Sequence, residues 1–522
     1  MVSLKVHKPS GHRSRSRSPN PGQEEMASLT IRNVTINPLE LVLIERFERA
    51  PPPGGGFSRI NSTLTGLFTT STPALFAPAD GQEPSERRDV TGVVVGAFET
   101  KTTDIPAAEP GRSVLRLTFK ATGSPAHRYV VDCPSPGARS VVMRKVGGDG
   151  DGDNNGNDEP PPLELTAVYI PAARHLSVLS SASLPAWMRE LGDGWPLSAL
   201  SIPGTHNSPT CHVALPSVRC QAVGVREQLD NGVRFLDVRL SASRDDDGLA
   251  LVHSVFPISL AGGKHLAGLL DELYAFLDAN PSEALIMSLK REGTGRGTDQ
   301  HMSQHLFKRY CGGGGGGKDG GRDEDTARRW FTEPRIPTLG EARGKIVLVR
   351  RFNNDGALQA EHGGKGWGID ASAWPDNCAD GTVDSGLVRV QDFYEVTQST
   401  NIEKKAELAR SHLERACQQV YAAASGPGGG DAPPPPPLFV NFLTASNFFN
   451  ASCWPEKIAA KVNPSIIEYL CIRHAEKGKG PAQLDVGDAG TGIVVTDWVG
   501  HDGDWDLIRC IVAWNARLQL KK

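Results

Sequence analysis

Four short segments of this chain carry groups able to do chemistry, each at or just past the end of an apolar run. They are Ser-Ile-Pro-Gly-Thr-His-Asn-Ser from Ser201, which holds His206; Arg234-Phe-Leu-Asp-Val-Arg239; Leu251-Val-His253; and Met287-Ser-Leu-Lys-Arg291. One histidine can take a proton from a nucleophile while the other gives one to a leaving oxygen, and the arginine and lysine offset phosphate charge. Singly, each group has a plainer reading. A lone His is more often a satisfied structural group, a strand-end Arg a surface ion pair, and Lys290 a snorkelling lysine. Together they suit a phosphodiester substrate.

Other suggestive runs fail on their own chemistry. Asp149, Asp151, Asp153 and Asn155 alternate with Gly as in a calcium loop, with Gly156 sixth from Asp151. The twelfth position is then Pro162, where a bidentate Glu is needed, and no helices flank it, so the run reads as a solvated acidic linker. The glycine run Gly312–Gly317 is no phosphate cradle, because Lys318 is followed by Asp319 and not by Ser or Thr. The nine cysteines are odd in number and contain no CxxC pair, so neither a zinc site nor a complete disulfide set within one chain is expected.

The elements that must position the histidines alternate in type. Short strands are expected at Leu200–Ile202, Val233–Leu240, Leu249–His253, Ala284–Leu289, Lys345–Val349, Leu438–Phe442 and Gly492–Thr496. An amphipathic helix over Lys264–Ala279 buries Leu266, Leu269, Leu270, Leu273, Phe276 and Leu277, and Asn280-Pro281 closes it. A terminal helix near Trp505–Leu518 carries a stripe read as core. The alternation predicts an α/β fold: a parallel sheet that about eight such units would close into a TIM-type barrel, with strand ends converging on one face. Before it, β-type runs at Leu29–Ile36, Leu39–Ile44, Thr91–Phe98, Ser113–Phe119, Arg128–Val131 and Leu163–Ile170 predict a small all-β sandwich-like domain. The expected divisions are a disordered basic tail at 1–26, the β domain at 27–180, and the barrel at 181–522 with low-complexity loops near 312–323 and 425–437.

Composition narrows the partners. The 522 residues carry 56 basic and 60 acidic groups, a formal net charge of −4, so no basic field argues for nucleic acid or anionic membrane. No signal-peptide pattern opens the chain and no run of about 18 apolar residues occurs, so a cytoplasmic protein with no bilayer span is expected.

The PGTH segment, the FLDVR segment, ANPSEALIMSLKRE, EARGKIVLVRRF, VQDFYEV and GIVVTDW resemble, in order from Trp187 to Trp498, the bacterial phosphatidylinositol-specific phospholipases C. The pairing of the sandwich with this barrel resembles fungal relatives. The resemblance implies that His206 is the general base toward the inositol 2-hydroxyl, oriented by Asp497, and that His253 is the general acid, supported by Asp237. Arg239 would clamp the phosphate in the place where animal enzymes hold calcium. Lys290, Arg351 and Asp392 would hydrogen-bond inositol hydroxyls, and Tyr394 would pack on the ring. The implied products are diacylglycerol and a 1,2-cyclic inositol phosphate, formed without metal or other cofactor by a monomer in peripheral contact with a membrane. One position departs: Asn207 stands where the bacterial pattern has Asp, and its amide would accept from Arg239 without adding negative charge.

Two other readings remain. A weak or silent barrel would bind phosphoinositide or glycerophosphodiester without turnover, which Asn207 alone favours. An interaction protein would use the β domain and keep the barrel as scaffold, and hydrolysis separates both from an enzyme. For membrane contact, Val255-Phe256-Pro257-Ile258 lies just past His253 and is the expected insertion loop.

Overall fold

The computed structural model describes residues 28–50, 76–122, 124–136, 139–147, 163–215, 217–246, 248–311, 327–424 and 434–521. The tail 1–26, the acidic run 149–155, the glycine run 312–317 and residues 425–433 of the proline-rich insertion lie outside the described residues.

Ten strands come first: β1 (Ser28–Val34), β2 (Leu39–Glu48), β3 (Glu86–Val95), β4 (Thr100–Pro106), β5 (Ser113–Ala121), β6 (Ser124–Cys133), β7 (Ser140–Val142), β8 (Arg144–Val146), β9 (Leu165–Ile170) and β10 (His175–Ser180). They form two five-stranded sheets, ordered β4-β1-β10-β9-β7 and β3-β2-β5-β6-β8. Leu29, Ile31 and Val178 of the first sheet share a core with Leu41, Leu117 and Phe119 of the second. The alternation in β2 breaks at a register shift between Leu41 and Leu43, which lets both Leu41 and Ile44 face that core. The first sheet is covered on its other face as well. Val34, Val168 and Leu179 pack against Ile466, Leu470 and Ile511 from the helices Pro455–Ile472 and Asp506–Ala513. Arg32, 2 % exposed, crosses that seam and donates to the carbonyls of Cys471 (3.1 Å) and His474 (2.5 Å). The strands are therefore built into the rest of the molecule.

Twelve strands follow: β11 (Ile202–Thr205), β12 (Phe235–Ser241), β13 (Ala250–His253), β14 (Phe256–Pro257), β15 (Leu285–Arg291), β16 (Trp330–Phe331), β17 (Ile346–Arg351), β18 (Ile369–Asp370), β19 (Cys378–Thr382), β20 (Val388–Asp392), β21 (Leu438–Phe442) and β22 (Ile493–Thr496). Eight of them run parallel in the order β16-β17-β15-β12-β11-β22-β21-β20, and β19 adds antiparallel to β20. Five strands separate β17 from β20, which in a flat sheet would set them about 29 Å apart. Yet Arg351 on β17 lies 3.9 Å from Asp392 on β20, so the sheet curls into a barrel. Among the described residues its hydrogen-bonded path stays open between β16 and β19.

Three expected elements differ. The first barrel strand is Ile202–Thr205, because Pro196 starts a 3-10 turn that occupies Leu197–Ala199. The Leu249–His253 run is no parallel unit: β13 pairs antiparallel with β12, since the segment between them is too short for a crossover. The terminal helix is two, Asp506–Ala513 and Ala516–Gln519. The helix Leu266–Ala279 buries all six apolar residues of its stripe, worth roughly 10 kcal/mol in removed apolar surface.

At the bottom of the barrel Arg234 is fully buried and held by Glu283 at 2.9 Å. It also donates to the carbonyls of Leu229, Val233, Leu184 and Pro185, so this arginine, which directly precedes the FLDVR segment, is structural. Gly204 lies in register with Phe235, and a Cβ there would stand 2.9 Å from that ring.

Candidate active site

Strand register assembles the site at the C-terminal ends of the parallel strands. Arg239 on β12 pairs in register with Lys290 on β15, which pairs with Arg351 on β17. Three cations thus form one row across three adjacent strands. On the other side of the mouth, Thr205 of β11 is in register with Thr496 of β22. The next residue of each strand is His206 and Asp497, which is why side chains 291 positions apart meet.

His206 Nδ1 donates to Asp497 Oδ1 at 3.0 Å, which leaves Nε2 with its lone pair. His253 reaches the site from the β13–β14 hairpin, turned by Ser254 at φ 55°. The two imidazoles stand edge to face with centroids 5.9 Å apart. Burial, then the charge of Arg239, holds both below the ordinary histidine range, and the neighbouring His253 lowers His206 further. They line a cleft of ≈ 450 Å³ together with Arg239, Lys290, Arg351, Asp392 and Tyr394.

Each cation of the row is matched by a carboxylate. Asp237, fully buried, receives Arg239 at 3.2 Å and Arg351 at 3.4 Å. Burial pushes its proton affinity up, but the two guanidiniums win and hold it below the usual carboxylate range. Glu292 bridges Arg239 (2.9 Å) and Lys290 (2.7 Å), and its other oxygen accepts from Ser254 N at 2.9 Å. Burial opposes ionisation there too, yet Arg239 and Lys290 pull the carboxyl down to about 2. Asp392 faces Arg351 and accepts from Trp374 Nε1 at 3.0 Å; burial leaves it above its ordinary value.

Two expected contacts are corrected. Asp237 does not hold His253: it is taken up by the arginines and Asn207 N, and His253 Nδ1 donates to the Val218 carbonyl at 2.8 Å. Asn207 does not accept from Arg239. At φ 42° its side chain is turned toward His206, where Nδ2 donates to Nε2 at 3.0 Å, and its Oδ1 is buried with no hydrogen-bond partner. Arg239 needs nothing from position 207, because Asp237 and Glu292 already hold it. Tyr394 lies at the rim, 37 % exposed, with its hydroxyl on Asp376 at 2.7 Å.

Glu292, Trp374 and Lys405 went unassigned in the sequence reading. Glu292 ends the quoted ANPSEALIMSLKRE segment, and its period-2 relation to Lys290 was the available signal. Trp374 stacks on Arg351, 3.9 Å from guanidinium to ring centre, and left no pattern to find. Lys405 is fully buried on the helix Ile402–Cys417, donates to Gln391 Oε1 at 3.0 Å, and is brought down to about 7 by burial.

Residues 195–295, from the turn before β11 through the loop after β15, match the family model described as PI-PLC X 1. The matched segment carries His206, Arg239, His253 and Lys290. A 1-phosphatidylinositol phosphodiesterase of Staphylococcus aureus (strain Newman) is 27 % identical over 337 residues, covering 63 % of this chain and 92 % of the relative. The 1-phosphatidylinositol phosphodiesterase of Listeria monocytogenes serovar 1/2a is 33 % identical over 178 residues, covering 33 % of this chain and 50 % of the relative. Among solved structures, a double mutant of the phosphatidylinositol-specific phospholipase C from S. aureus is 23 % identical, with a TM-score of 0.47 over 64 % of this chain and 97 % of that one. These relatives are bacterial, and the expected fungal kinship finds no support in them.

Proposed function

We propose that this chain cleaves phosphatidylinositol, or a closely related inositol phospholipid, to diacylglycerol and a 1,2-cyclic inositol phosphate. The observation that carries the reading is the pair of imidazoles 5.9 Å apart at a cleft whose floor is the in-register row Arg239, Lys290 and Arg351. That spacing brackets a single phosphorus atom.

His206 Nε2 is the base toward the inositol 2-hydroxyl. The Asp497 carboxylate on Nδ1 fixes the tautomer and favours the imidazolium that forms. His253 is the acid toward the diacylglycerol oxygen. Its Val218 bond orients the ring, and the charge of a bound phosphodiester favours its protonated form. Arg239, held from both sides, presents a fixed positive group to the phosphate, so little reorganisation accompanies charge development. Lys290, Arg351, Asp392 and Tyr394 line the part of the cleft assigned to the inositol ring. An internal hydroxyl held in line attacks faster than water, which favours the cyclic product.

The chemistry is assigned to the histidines and the cation row without calcium. Among the described residues, the one His/Cys/Asp/Glu group with converging donor atoms is His206, Cys220 and His253, which offers no carboxylate to a hard cation.

Membrane contact is assigned to the rim beside His253. Phe256 stacks on Phe448 at 5.9 Å, and Phe449, 95 % exposed, meets Phe448 edge-on at 5.4 Å. Ile258 of the expected loop is buried at 1 % exposure and belongs to the core, so Phe448 and Phe449 take its place as candidates.

The test is phosphorus NMR of the protein with phosphatidylinositol vesicles in excess chelator, beside a His206→Ala control. A cyclic inositol phosphate signal absent from the control is expected. Turnover only after calcium is added would overturn the metal-free assignment, and silence with and without calcium would favour a binding-only barrel.

A further inference from the structure

Cys220 has no part in the reaction above, yet it lies against both histidines. It follows β11 on the loop that also supplies Val218, is fully buried, and its Sγ is 3.8 Å from His253 Nδ1. Two further contacts are long and weak for a thiol, Asn207 Nδ2 at 3.9 Å and the Val218 carbonyl at 3.6 Å, and the Thr210 hydroxyl also lies beside the sulfur. One donor atom each from His206, His253 and Cys220 lies within 4.8 Å of the others. Tetrahedral coordination with the usual zinc–nitrogen and zinc–sulfur lengths sets such donors about 3.4 to 3.6 Å apart, so a contraction of about 1 Å completes the set. A second observation points to the same spot. The Asn207 amide reaches between His206 Nε2 and Cys220 Sγ, while its own Oδ1 is buried and unpartnered. Turning that amide over would withdraw the donor and offer an oxygen in its place.

We propose that His206, His253 and Cys220 bind a borderline divalent cation of the zinc class, and that its occupation switches off the acid–base pair. Two imidazoles and a thiolate are a donor set for zinc or cobalt and a poor one for calcium or magnesium. The site is inhibitory by construction, because the cation takes the lone pair of the base and keeps the acid from becoming an imidazolium. Coordination through His253 Nδ1 would exchange the Val218 hydrogen bond for the metal. The Cys220 thiol releases its proton to solvent as the sulfur–metal bond forms. Because that proton must leave, binding strengthens as pH rises. Only the inhibitory consequence rests on the function proposed above; binding itself does not.

The experiment titrates Co²⁺ into the whole chain without lipid and follows the near-ultraviolet thiolate-to-cobalt absorption. In parallel, Zn²⁺ at buffered free concentrations is titrated into the phosphatidylinositol assay. The expected result is one equivalent of Co²⁺ with a thiolate band that Cys220→Ser and Cys220→Ala both lose. Zinc inhibition of these variants should need about tenfold or more higher free metal, with turnover in its absence retained. No band in the wild-type protein, or equal zinc sensitivity in wild type and the folded Cys220 variants, overturns the proposal. If phosphatidylinositol is not turned over at all, the function reading fails and the cobalt arm still decides this one.

Discussion

Replacing Glu292 by Gln keeps the shape of the side chain and removes the one carboxylate that joins Arg239, Lys290 and the turn after His253. The magnitude follows from its proton affinity. The carboxyl is shifted from 4.5 to about 2, and the side chain is only 12 % exposed, so solvent screening is modest. A shift of about 2.5 units corresponds to roughly 3 kcal/mol of stability at neutral pH. The sign follows from the folded-state value lying below the unfolded one. The contribution is complete above 4.5 and is lost as pH falls toward about 2. The destabilisation of Glu292→Gln should therefore shrink from roughly 3 kcal/mol at about pH 7 to roughly 2 kcal/mol at about pH 3.5. Urea unfolding of both proteins at the two pH values measures it. A difference that does not change with pH would refute the reasoning, since it would place the loss in packing and not in charge. Turnover should fall as well, because Ser254 is released and His253 with it.

Asp497→Asn should lower kcat by about 10³–10⁴ with KM nearly unchanged, because the amide no longer fixes the His206 tautomer; a loss under tenfold in single-turnover kinetics would remove Asp497 from that role. In wild type the acid limb of kcat/KM should fall below the ordinary histidine value, following the lowered proton affinity of His206. Asn207→Asp sets a carboxylate where an amide now donates to Nε2 at 3.0 Å, so it should move that limb to higher pH, and an unmoved limb would count against His206 as the base. Phe448→Ser with Phe449→Ser should weaken partitioning to phosphatidylinositol vesicles by about 10- to 100-fold, from the loss of apolar surface at the rim, with soluble-substrate kinetics unchanged.

The sequence by itself determined the alternation of strands and helices, the stripe of Leu266–Ala279, and the segments that carry His206, Arg239, His253 and Lys290. These are local: hydrophobic period and motif sit within a few residues of one another, so one dimension holds them. The β-strands Thr100–Pro106 and His175–Ser180 escaped it, because the first is mostly polar and the second earns its place by pairing with β1, more than 140 positions away. Partner choice inside the site was likewise decided only by the tertiary structure. Register set Arg239, Lys290 and Arg351 in one row and drew in Glu292. The local turn at Asn207 aimed its amide at His206 and away from Arg239, and the antiparallel return of β13 gave His253 to Val218 and not to Asp237. Residue types state which charges and protons are available. Which of them meet depends on strand order and backbone turns, and those follow from how the whole sheet closes.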